Sequence, residues 1–403
     1  MPKILISKAF SFLYFIVLSL TNGTTYQEVV MKICLVTLTD NNNYGTMLQA
    51  YATAKIIQNM GHEIYFLNYH RSYYSTFNWV KRTINSKSSL LKKVIVVPFQ
   101  IFVSPLKHAY MLNFLHKNFS FTKKVSSYSD VKKLNPCADM FVAGSDQIWN
   151  TDYNNGIDLV FYLDFVDDNS KKIAISSSVG QSCFDEKLES QLKSLFLKFK
   201  AITVRESLSV PLFNKLGIEN VHATLDPTLM FNKDEWADML NIKPNGNKYI
   251  LVYCVEPNKS RIVIELAKKI AARKGLDVYV IENGSPFRYS AKGISKRDFS
   301  PSVKKVVELF YNSAYTIVSS FHGVAFSVNF NKPFIVVKPD KYNVRVESIL
   351  TDVNLTDRIK DISSEEGLSN ITDITDIDYS AVNSVLDERR KKSFQLFEEM
   401  MKN

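Results

Sequence analysis

The sequence predicts an α/β protein built from two Rossmann-like domains that face a cleft. The chain has 403 residues, too many for one ordinary core and enough for two. Hydrophobic residues make up 46% and charged residues 22%, the balance of a folded globular protein. Short apolar runs alternate with helix-like stretches in two successive blocks, which is typical of parallel sheets with crossover helices.

The first block opens with a predicted strand over residues 32–38, apolar almost throughout, as expected of a strand buried on both faces. A polar loop, a helix over 46–60 and a strand over 62–69 complete one βαβ unit. Further strands, each running into a polar turn, and one helix are then predicted, at 139–146, 171–178, 185–200 (the helix), 201–207 and 221–228.

The second block follows a polar segment at 230–247, which we interpret as a linker. Its predicted strands are 249–255, 276–283, 314–320 and 332–338, and its predicted helices are 259–274 and 301–313. The tail from Tyr379 is charged and helix-like. The predicted domains are therefore 31–235, with a basic insertion at 71–135, then 248–385, and a charged C-terminal helix at 386–403.

Residues 1–30 form a separate segment with two lysines before an apolar run at 9–20, the shape of a signal-peptide core. No small-residue cleavage site follows the run. We interpret Met31 as the natural start and 1–30 as an upstream extension, with a signal or anchor segment as the alternative.

Charge is concentrated in one segment. The formal net charge is +10, and residues 71–135 hold twelve Lys or Arg against one acid, Asp130. Such a segment attracts phosphorylated substrates, an anionic membrane surface or nucleic acid. Nucleic acid is not an expected partner, because no helix-turn-helix, zinc-finger or RNP-like motif is present.

The cysteines and histidines predict no metal site. The four cysteines are scattered and the histidines are not grouped. Three of the cysteines lie in or beside apolar runs, so we expect buried reduced thiols and a cytoplasmic protein. The cysteines are Cys34, Cys137, Cys183 and Cys254.

Two polar loops follow predicted strands of the first domain. The loop at 41–45 precedes a helix whose N–H groups suit an anion, although a simple tight turn fits equally well. The second loop, AGSDQIWN at 143–150, offers short polar groups beside Trp149, an aromatic platform for a sugar face. The alternative is a helix N-cap with Trp149 in the core.

Charged residues end two more strands of this domain. Arg205 is placed to bind a phosphate or carboxylate bidentately, and the alternative is a surface pair with Glu206. Asp226, before Pro227, is a ligand contact or a turn initiator.

The sharpest signal is SSFHG at 319–323, where a strand ends in two hydroxyls, a histidine and a glycine that open a helix. The helix dipole disfavours protonated His322, and a bound anion favours it. His322 is therefore a candidate general acid, and a capping or core histidine is the alternative.

Together these segments resemble the polysaccharide pyruvyl transferase family. The matching stretches, in order across most of residues 31–360, are NNYGTMLQAYA at 42–52, AGSDQIWN at 143–150, TVRES at 203–207, LDPTL at 225–229 and SSFHGVAFS at 319–327. The resemblance implies a GT-B-like arrangement and transfer of pyruvate from phosphoenolpyruvate to two sugar hydroxyls as a cyclic ketal, in exopolysaccharide biosynthesis. Phosphoenolpyruvate is then the donor substrate, and no cofactor is implied.

Carried over by position, the resemblance gives His322 and Arg205 catalytic roles. Many members have Arg two residues before the histidine, where this chain has Ser320. Arg345, or Lys338 as a second choice, is expected to supply the missing cation. The implied donor-side residues are Ser319, Ser320, Gly323 and Arg345, and the acceptor-side residues are Asn43, Tyr44, Gly45, Gln49, Gly144, Ser145, Asp146, Gln147, Trp149 and Asn150.

The expected partner is a saccharide acceptor. If it is lipid-linked, Trp79, the apolar run at 94–103 and the nearby lysines are expected to rest on the inner membrane face. A solvated basic excursion is the alternative. Two other functions stay open: a GT-B glycosyltransferase that uses a nucleotide sugar, and a non-catalytic glycan-binding relative.

Overall fold

The computed structural model describes residues 29–85, 97–246, 248–256, 258–282, 291–339, 343–362, 371 and 373–402. A compact unit spans Lys32–Asn403. The extension predicted at 1–30 lies almost wholly outside the described residues, so its two interpretations stay predictions.

The first domain is built on a parallel sheet of seven described strands, in the order β3-β2-β1-β4-β5-β6-β7. The chain starts in the middle, builds outward to β3, and returns to the other side of β1 at β4. The strands are β1 (Lys32–Val36), β2 (Glu63–Phe66), β3 (Ser120–Phe121), β4 (Met140–Ala143), β5 (Lys172–Ser177), β6 (Ala201–Val204) and β7 (Val221–Ala223).

The second domain repeats this plan with six described strands, in the order β10-β9-β8-β11-β12-β13, again all parallel. The strands are β8 (Tyr249–Tyr253), β9 (Asp277–Ile281), β10 (Lys296–Asp298), β11 (Tyr315–Val318), β12 (Phe334–Val337) and β13 (Ile359–Lys360). Both orders are doubly wound, which confirms the predicted pair of Rossmann-like domains.

Helices connect the strands. Those of the first domain are α1 (Tyr44–Asn59), α2 (Thr76–Asn85), α3 (Ser104–His116), α4 (Tyr128–Leu134), α5 (Thr151–Asn154), α6 (Glu189–Phe196), α7 (Val210–Lys215) and α8 (Lys233–Leu240). Those that follow β8 are α9 (Ser260–Lys274), α10 (Val303–Asn312), α11 (Phe321–Asn329), α12 (Asn343–Asp352) and α13 (Tyr379–Met401). The predicted helices begin and end within a few residues of α1, α6, α9 and α10.

Two segments are more structured than the sequence predicts. The basic insertion carries α2, a π-helical segment at Phe99–Val103, α3, β3 and α4. The supposed linker holds α8, which has a complete capping box at Asn232 and Glu235 and fully buries Trp236. The connection between the sheets is therefore packed rather than open.

This topology positions the site. A doubly wound sheet binds ligands at the carboxyl ends of its strands, where the strand order reverses. The reversal lies between β1 and β4 in the first sheet and between β8 and β11 in the second. The loops after these four strands line a common cleft.

Candidate active site

A cavity of about 370 Å³ lies between the carboxyl ends of the two sheets. Both domains supply its wall, so neither alone makes the site. Its lining residues are Asn43, Thr46, Asp146, Gln147, Tyr153, Val255, Glu256, Ser319, Ser320, Phe321, His322, Pro339, Arg345 and Val346.

His322 lies in the first turn of α11, which begins directly after β11. Ser320 is the N-cap, and its hydroxyl accepts a hydrogen bond from Gly323 N at 3.1 Å. The imidazole reaches across the cleft to the start of α1 in the other domain. A Cβ added to Gly45 would lie 2.0 Å from His322 Nδ1, so only glycine at position 45 admits the ring.

The imidazole of His322 is buried in a charged neighbourhood. Its Nε2 lies 4.0 Å from Asp226 Oδ2 and makes no hydrogen bond with the described residues. Burial lowers the pKa of His322 to about 4, although the carboxylates of Asp226 and Asp146 oppose this effect. His322 is therefore neutral at physiological pH in the protein alone.

Behind the cavity wall, Arg205 holds three carboxylates. Its guanidinium, fully buried, donates to Glu206 Oε1 at 2.9 Å and to Asp226 Oδ2 at 2.9 Å, and lies 3.5 Å from Asp146 Oδ1. The ring of Phe321 covers it at 4.3 Å. Removing one member of such a set costs about 3–5 kcal/mol, because the remaining charge stays buried.

Arg205 is absent from the cavity lining, and its guanidinium is bonded to carboxylates of the protein, so the structure does not place it for the direct phosphate or carboxylate contact that the sequence predicts. Its catalytic role stays a prediction. The surface-pair alternative is wrong, since Arg205 and Glu206 are both fully buried. Burial raises the pKa of Asp226, but the charge of the Arg205 guanidinium, together with the hydrogen bonds from Thr228, lowers that pKa overall.

Asp146 faces the cavity from the first domain in a left-handed backbone conformation, φ 73°. The strain is held by neighbours: Ser178 N donates to Asp146 O at 3.0 Å, and Thr46 Oγ1 donates to Asp146 Oδ2 at 2.6 Å. The carboxylate is thereby fixed between Thr46 and Arg205.

The second domain brings the predicted donor-side residues together. Ser319, Ser320 and Arg345 line the cavity, whereas Gly323 packs behind them, with Val318 Cβ 2.9 Å from where its own Cβ would be. Burial, together with the charge of Arg205, lowers the pKa of Arg345 to about 10, so the guanidinium stays protonated at neutral pH. Lys338, the second choice, is exposed and does not line the cavity.

The predicted acceptor-side residues divide into two groups. Asn43, Asp146 and Gln147 line the cavity, and Gly45 contacts His322. The others are buried behind the wall and support it; they are Tyr44, Gln49, Gly144, Ser145 and Asn150. For example, Ser145 Oγ donates to Asp226 Oδ2 at 3.1 Å, and Gln49 Nε2 donates to Thr37 Oγ1 at 3.1 Å.

Trp149 is not a sugar platform, and that prediction is wrong. It is 1% exposed, its Nε1 donates to Phe161 O, and its ring packs against Phe196 and Phe213 in the first domain's core. The alternative, a core tryptophan beside a helix N-cap, holds, since Asn150 caps α5.

A family model supplies the identification. The model for polysaccharide pyruvyl transferase matches residues 43–341. The chain belongs to the polysaccharide pyruvyl transferase family. It is accordingly a transferase, and the resemblance found in the sequence is confirmed. No curated protein matches the chain.

Solved structures that the chain resembles at low identity, each with a TM-score below 0.5, include an alpha-glucosyltransferase and a heptosyltransferase. Arabidopsis thaliana UGT89C1 complexed with UDP-L-rhamnose is 10% identical, with a TM-score of 0.48, over 92% of this chain and 99% of that one. An alpha-glucosyltransferase in complex with UDP is 10% identical, with a TM-score of 0.44, over 92% and 100%. E. coli heptosyltransferase WaaC with ADP is 12% identical, with a TM-score of 0.38, over 89% and 100%. The two doubly wound strand orders of this pyruvyl transferase family member support its GT-B-like arrangement.

Sequence reasoning missed several cavity residues of this transferase. Glu256 follows β8, and Tyr153 lies in α5, and both line the wall. Thr46 was read only as a helix start, although it donates to Asp146. Glu256 had a detectable signal, since it directly follows the predicted apolar strand at 249–255.

The cysteines and helices of this transferase bear on the remaining expectations. All four cysteines are free; Cys34 and Cys254 are buried, whereas Cys137 and Cys183 are exposed, so burial was overpredicted. In the described part of the chain, no three His, Cys, Asp or Glu are grouped to hold a metal ion. No described helix is both long and apolar enough to cross a membrane.

Proposed function

We propose that this chain transfers a pyruvyl group from phosphoenolpyruvate to two hydroxyls of a saccharide, as a step in exopolysaccharide biosynthesis. The observation that carries the proposal is the pairing, in one interdomain cavity, of a buried neutral imidazole, His322, with a guanidinium, Arg345. A proton donor for carbon and a cation for the anionic groups are what the reaction needs.

The donor's anionic groups fit the second-domain wall. Arg345 supplies a permanent positive charge, and the N-terminus of α11 supplies peptide N–H groups and the positive end of the helix dipole. The hydroxyls of Ser319 and Ser320 lie in the same wall. In this proposal Arg345 takes the place of the family arginine that Ser320 replaces.

The saccharide fits the first-domain wall, where Asn43, Asp146 and Gln147 offer amide and carboxylate groups to hydroxyls. Two bonds form, from two sugar oxygens to C2 of phosphoenolpyruvate, and the bond from C2 to the phosphate oxygen breaks. One hydroxyl proton ends on C3, which becomes a methyl group, and the other leaves with the phosphate.

His322 delivers the proton to C3 in this scheme. The neutral ring is protonated only when the donor's negative charges lie beside it, because these charges offset the desolvation that holds its pKa low. Asp226, 4.0 Å away, stabilises the imidazolium that forms. Binding of the substrate thus promotes protonation of the acid that acts on it.

We place the protein at the cytoplasmic membrane face, with a lipid-linked saccharide as acceptor. Of thirteen exposed large apolar side chains among the described residues, eight lie between residues 73 and 110. We call these eight the apolar patch: Tyr73, Phe77, Ile84, Ile101, Phe102, Val103, Leu106 and Tyr110. The patch lies within the basic insertion, a combination that suits an anionic membrane surface. Trp79, residues 94–96, Phe99 and Gln100, which belong to the same expectation, lie outside the described side chains.

The test is phosphate release from phosphoenolpyruvate by the full chain, with and without a panel of lipid-linked and nucleotide-linked saccharides. Acceptor-dependent release is expected, and His322→Ala is expected to reduce it by about 100-fold or more, as is usual for a general acid. His222→Ala is the matched control, since His222 is exposed on β7, outside the cavity.

Two outcomes would overturn the proposal. Turnover of a nucleotide sugar without phosphoenolpyruvate would make the chain a glycosyltransferase. Acceptor binding with no release, and no effect of His322→Ala, would make it a non-catalytic glycan-binding relative.

A further inference from the structure

A second and larger cavity, of about 990 Å³, lies entirely in the first domain. It sits beyond the carboxyl ends of β1, β2 and β3, on the far side of the loop that follows β1. Helix α3 forms one wall, with Pro105, Ala109 and Leu112 facing it. Of the sequence motifs, only the start of the loop at 41–45 reaches it, and nothing in the proposed donor chemistry uses it.

The cavity lining also collects groups that bind anions. His108 and His116 come from α3 itself, whereas His70 and Lys124 come from the segments that follow β2 and β3. Among the described lining residues the one carboxylate is that of Asp40. Both its oxygens accept from Arg71, Nη2 to Oδ1 at 2.6 Å and Nε to Oδ2 at 2.8 Å, so its charge is already balanced.

The two inner imidazoles are placed as a pair. Their ring centroids are 5.6 Å apart, His70 Nε2 is 2.9 Å from Asn68 Oδ1, and His108 Nδ1 is 3.2 Å from Asn41 O. His108 Nε2 is buried and has no hydrogen-bond partner among the described residues. Burial, and after it the charge of Lys124, lower the pKa of His70 to about 4, so its imidazole is neutral at physiological pH.

The second cavity adjoins the donor cavity through one loop. Asn41 and Asn42 line the former and Asn43 lines the latter. Asn42 Nδ2 donates to Ser104 Oγ at 2.6 Å, which ties the loop to the start of α3. The loop at 41–43 therefore forms part of the wall of both cavities.

We propose that this cavity binds a phosphate or diphosphate group carried by the acceptor, at the end of the saccharide remote from the reacting hydroxyls. That the group belongs to the acceptor rests on the proposed pyruvyl transfer; the binding itself does not. The chemistry is shared by lipid-diphosphate and nucleotide-diphosphate saccharides. The ammonium group and the N–H groups of neutral imidazoles donate to phosphate oxygens, and hydrogen bonds with charged groups are the strong ones.

The test is calorimetry of the full chain with inorganic pyrophosphate. The variant His116→Ala with Lys124→Ala removes two exposed groups of the wall, so the fold is expected to be retained. Pyrophosphate affinity is expected to fall about tenfold for each group removed. The matched control is Lys117→Ala with Lys123→Ala, the adjacent exposed lysines outside the cavity.

Arg345→Ala separates this proposal from the previous one. It is expected to leave pyrophosphate binding unchanged while it weakens phosphoenolpyruvate binding. Equal pyrophosphate affinity in wild type and the double variant, no binding at all, or loss of binding in Arg345→Ala would overturn the inference, and none of these results bears on phosphate release from phosphoenolpyruvate. Tighter binding of farnesyl diphosphate than of UDP would identify a lipid source, and the reverse order a nucleotide source.

Discussion

His322 and Gly45 meet where the two domains touch, and their contact controls the geometry of the acid. The ring occupies the volume in which any other residue at position 45 would place its Cβ. The position of the imidazole is therefore set by a glycine in the other domain, at the start of α1.

Gly45→Ala is expected to displace the imidazole and lower kcat/KM for phosphoenolpyruvate by about 100-fold, since a shift of about 1 Å in a reacting group costs that much. Steady-state phosphate release measures this. Gly61→Ala is the control: it has φ +85° and open space around it, so it costs about 1–2 kcal/mol of stability with unchanged turnover. Wild-type activity in Gly45→Ala would show that the contact with Gly45 does not set the position of the His322 imidazole.

The low pKa of His322 gives a pH prediction. The groups facing it are Asp226, Asp146, Arg205 and Arg345. Phosphoenolpyruvate adds negative charge and raises the pKa from about 4. Between the free and bound pKa values, binding takes up a proton, so affinity for phosphoenolpyruvate rises as the pH falls.

Calorimetry in buffers of different ionisation enthalpy measures this uptake. His322→Gln is expected to abolish it while the ring's volume is roughly kept. If the wild-type protein binds phosphoenolpyruvate with no proton uptake, then substrate binding does not protonate His322 and the prediction is contradicted.

Single residues show where sequence reasoning stops. The polar ends of strands could be predicted to meet in a cleft, because carboxyl ends of parallel strands share one edge. Whether Trp149 faced that cleft depended on Phe196 and Phe213, which arrive from later in the chain. Likewise, the carboxylates that occupy Arg205 come from three separate strand ends.

At the scale of elements, α11 and α13 hold the domains together. Asn329, at the end of α11, donates to Thr228 O at 3.1 Å and to Phe231 O at 2.8 Å in the first domain. Arg390 of α13 donates to Leu229 O at 2.8 Å and to Asn329 Oδ1 at 2.8 Å. The turn that carries Asp226 is thus fastened to the helix that carries His322.

Arg390→Met is expected to lower the free energy of unfolding by about 1–3 kcal/mol, because it leaves two acceptors without their donor. Chemical denaturation measures the change. Lys391→Met is the matched control: Lys391 is the exposed next residue of the same helix, and Met and Lys have similar helix propensity. Equal stability of the two variants would show that α13 does not depend on this contact.

Whether a helix or strand could be predicted depended on the hydrophobic pattern of its sequence. Core strands such as β1, β4, β8 and β11 were predictable because strands buried on both faces are apolar throughout. Helix α3 was not, since it turns Leu106 and Tyr110 outward and gives no one-sided apolar stripe. Helix α8 was hidden by polar residues that its capping box uses.

At the scale of the whole molecule, positive charge and exposed apolar surface coincide. The net charge is +10, the basic insertion more than accounts for it, and the apolar patch lies in the same segment. Helices α2 and α3 each contact the π-helical segment, so the elements that carry most of the patch are neighbours. A surface of this kind is expected to orient the protein on a bilayer.

Flotation with vesicles is expected to recover the protein with anionic lipid and not with neutral lipid alone. Recovery is expected to fall when salt rises from about 0.1 M to about 1 M, because the Debye length shrinks from about 10 Å to about 3 Å. Phe102→Ser with Leu106→Ser is expected to reduce binding about tenfold or more. The control is Leu197→Ser with Leu208→Ser, two exposed leucines outside the patch. An equal loss of vesicle binding in both double variants would show that the apolar patch is not the membrane-binding surface.

The return of α13 to the first domain has a consequence for how the gene can be divided. Ser393 Oγ accepts from Leu225 N at 3.0 Å, and Lys402 O accepts from Lys200 Nζ at 2.5 Å, so the last helix lies on the half encoded first. A split between the two sheets would separate this helix from its binding surface. Swapping the second half between relatives as a cassette therefore succeeds only if the surface under α13 is exchanged with it.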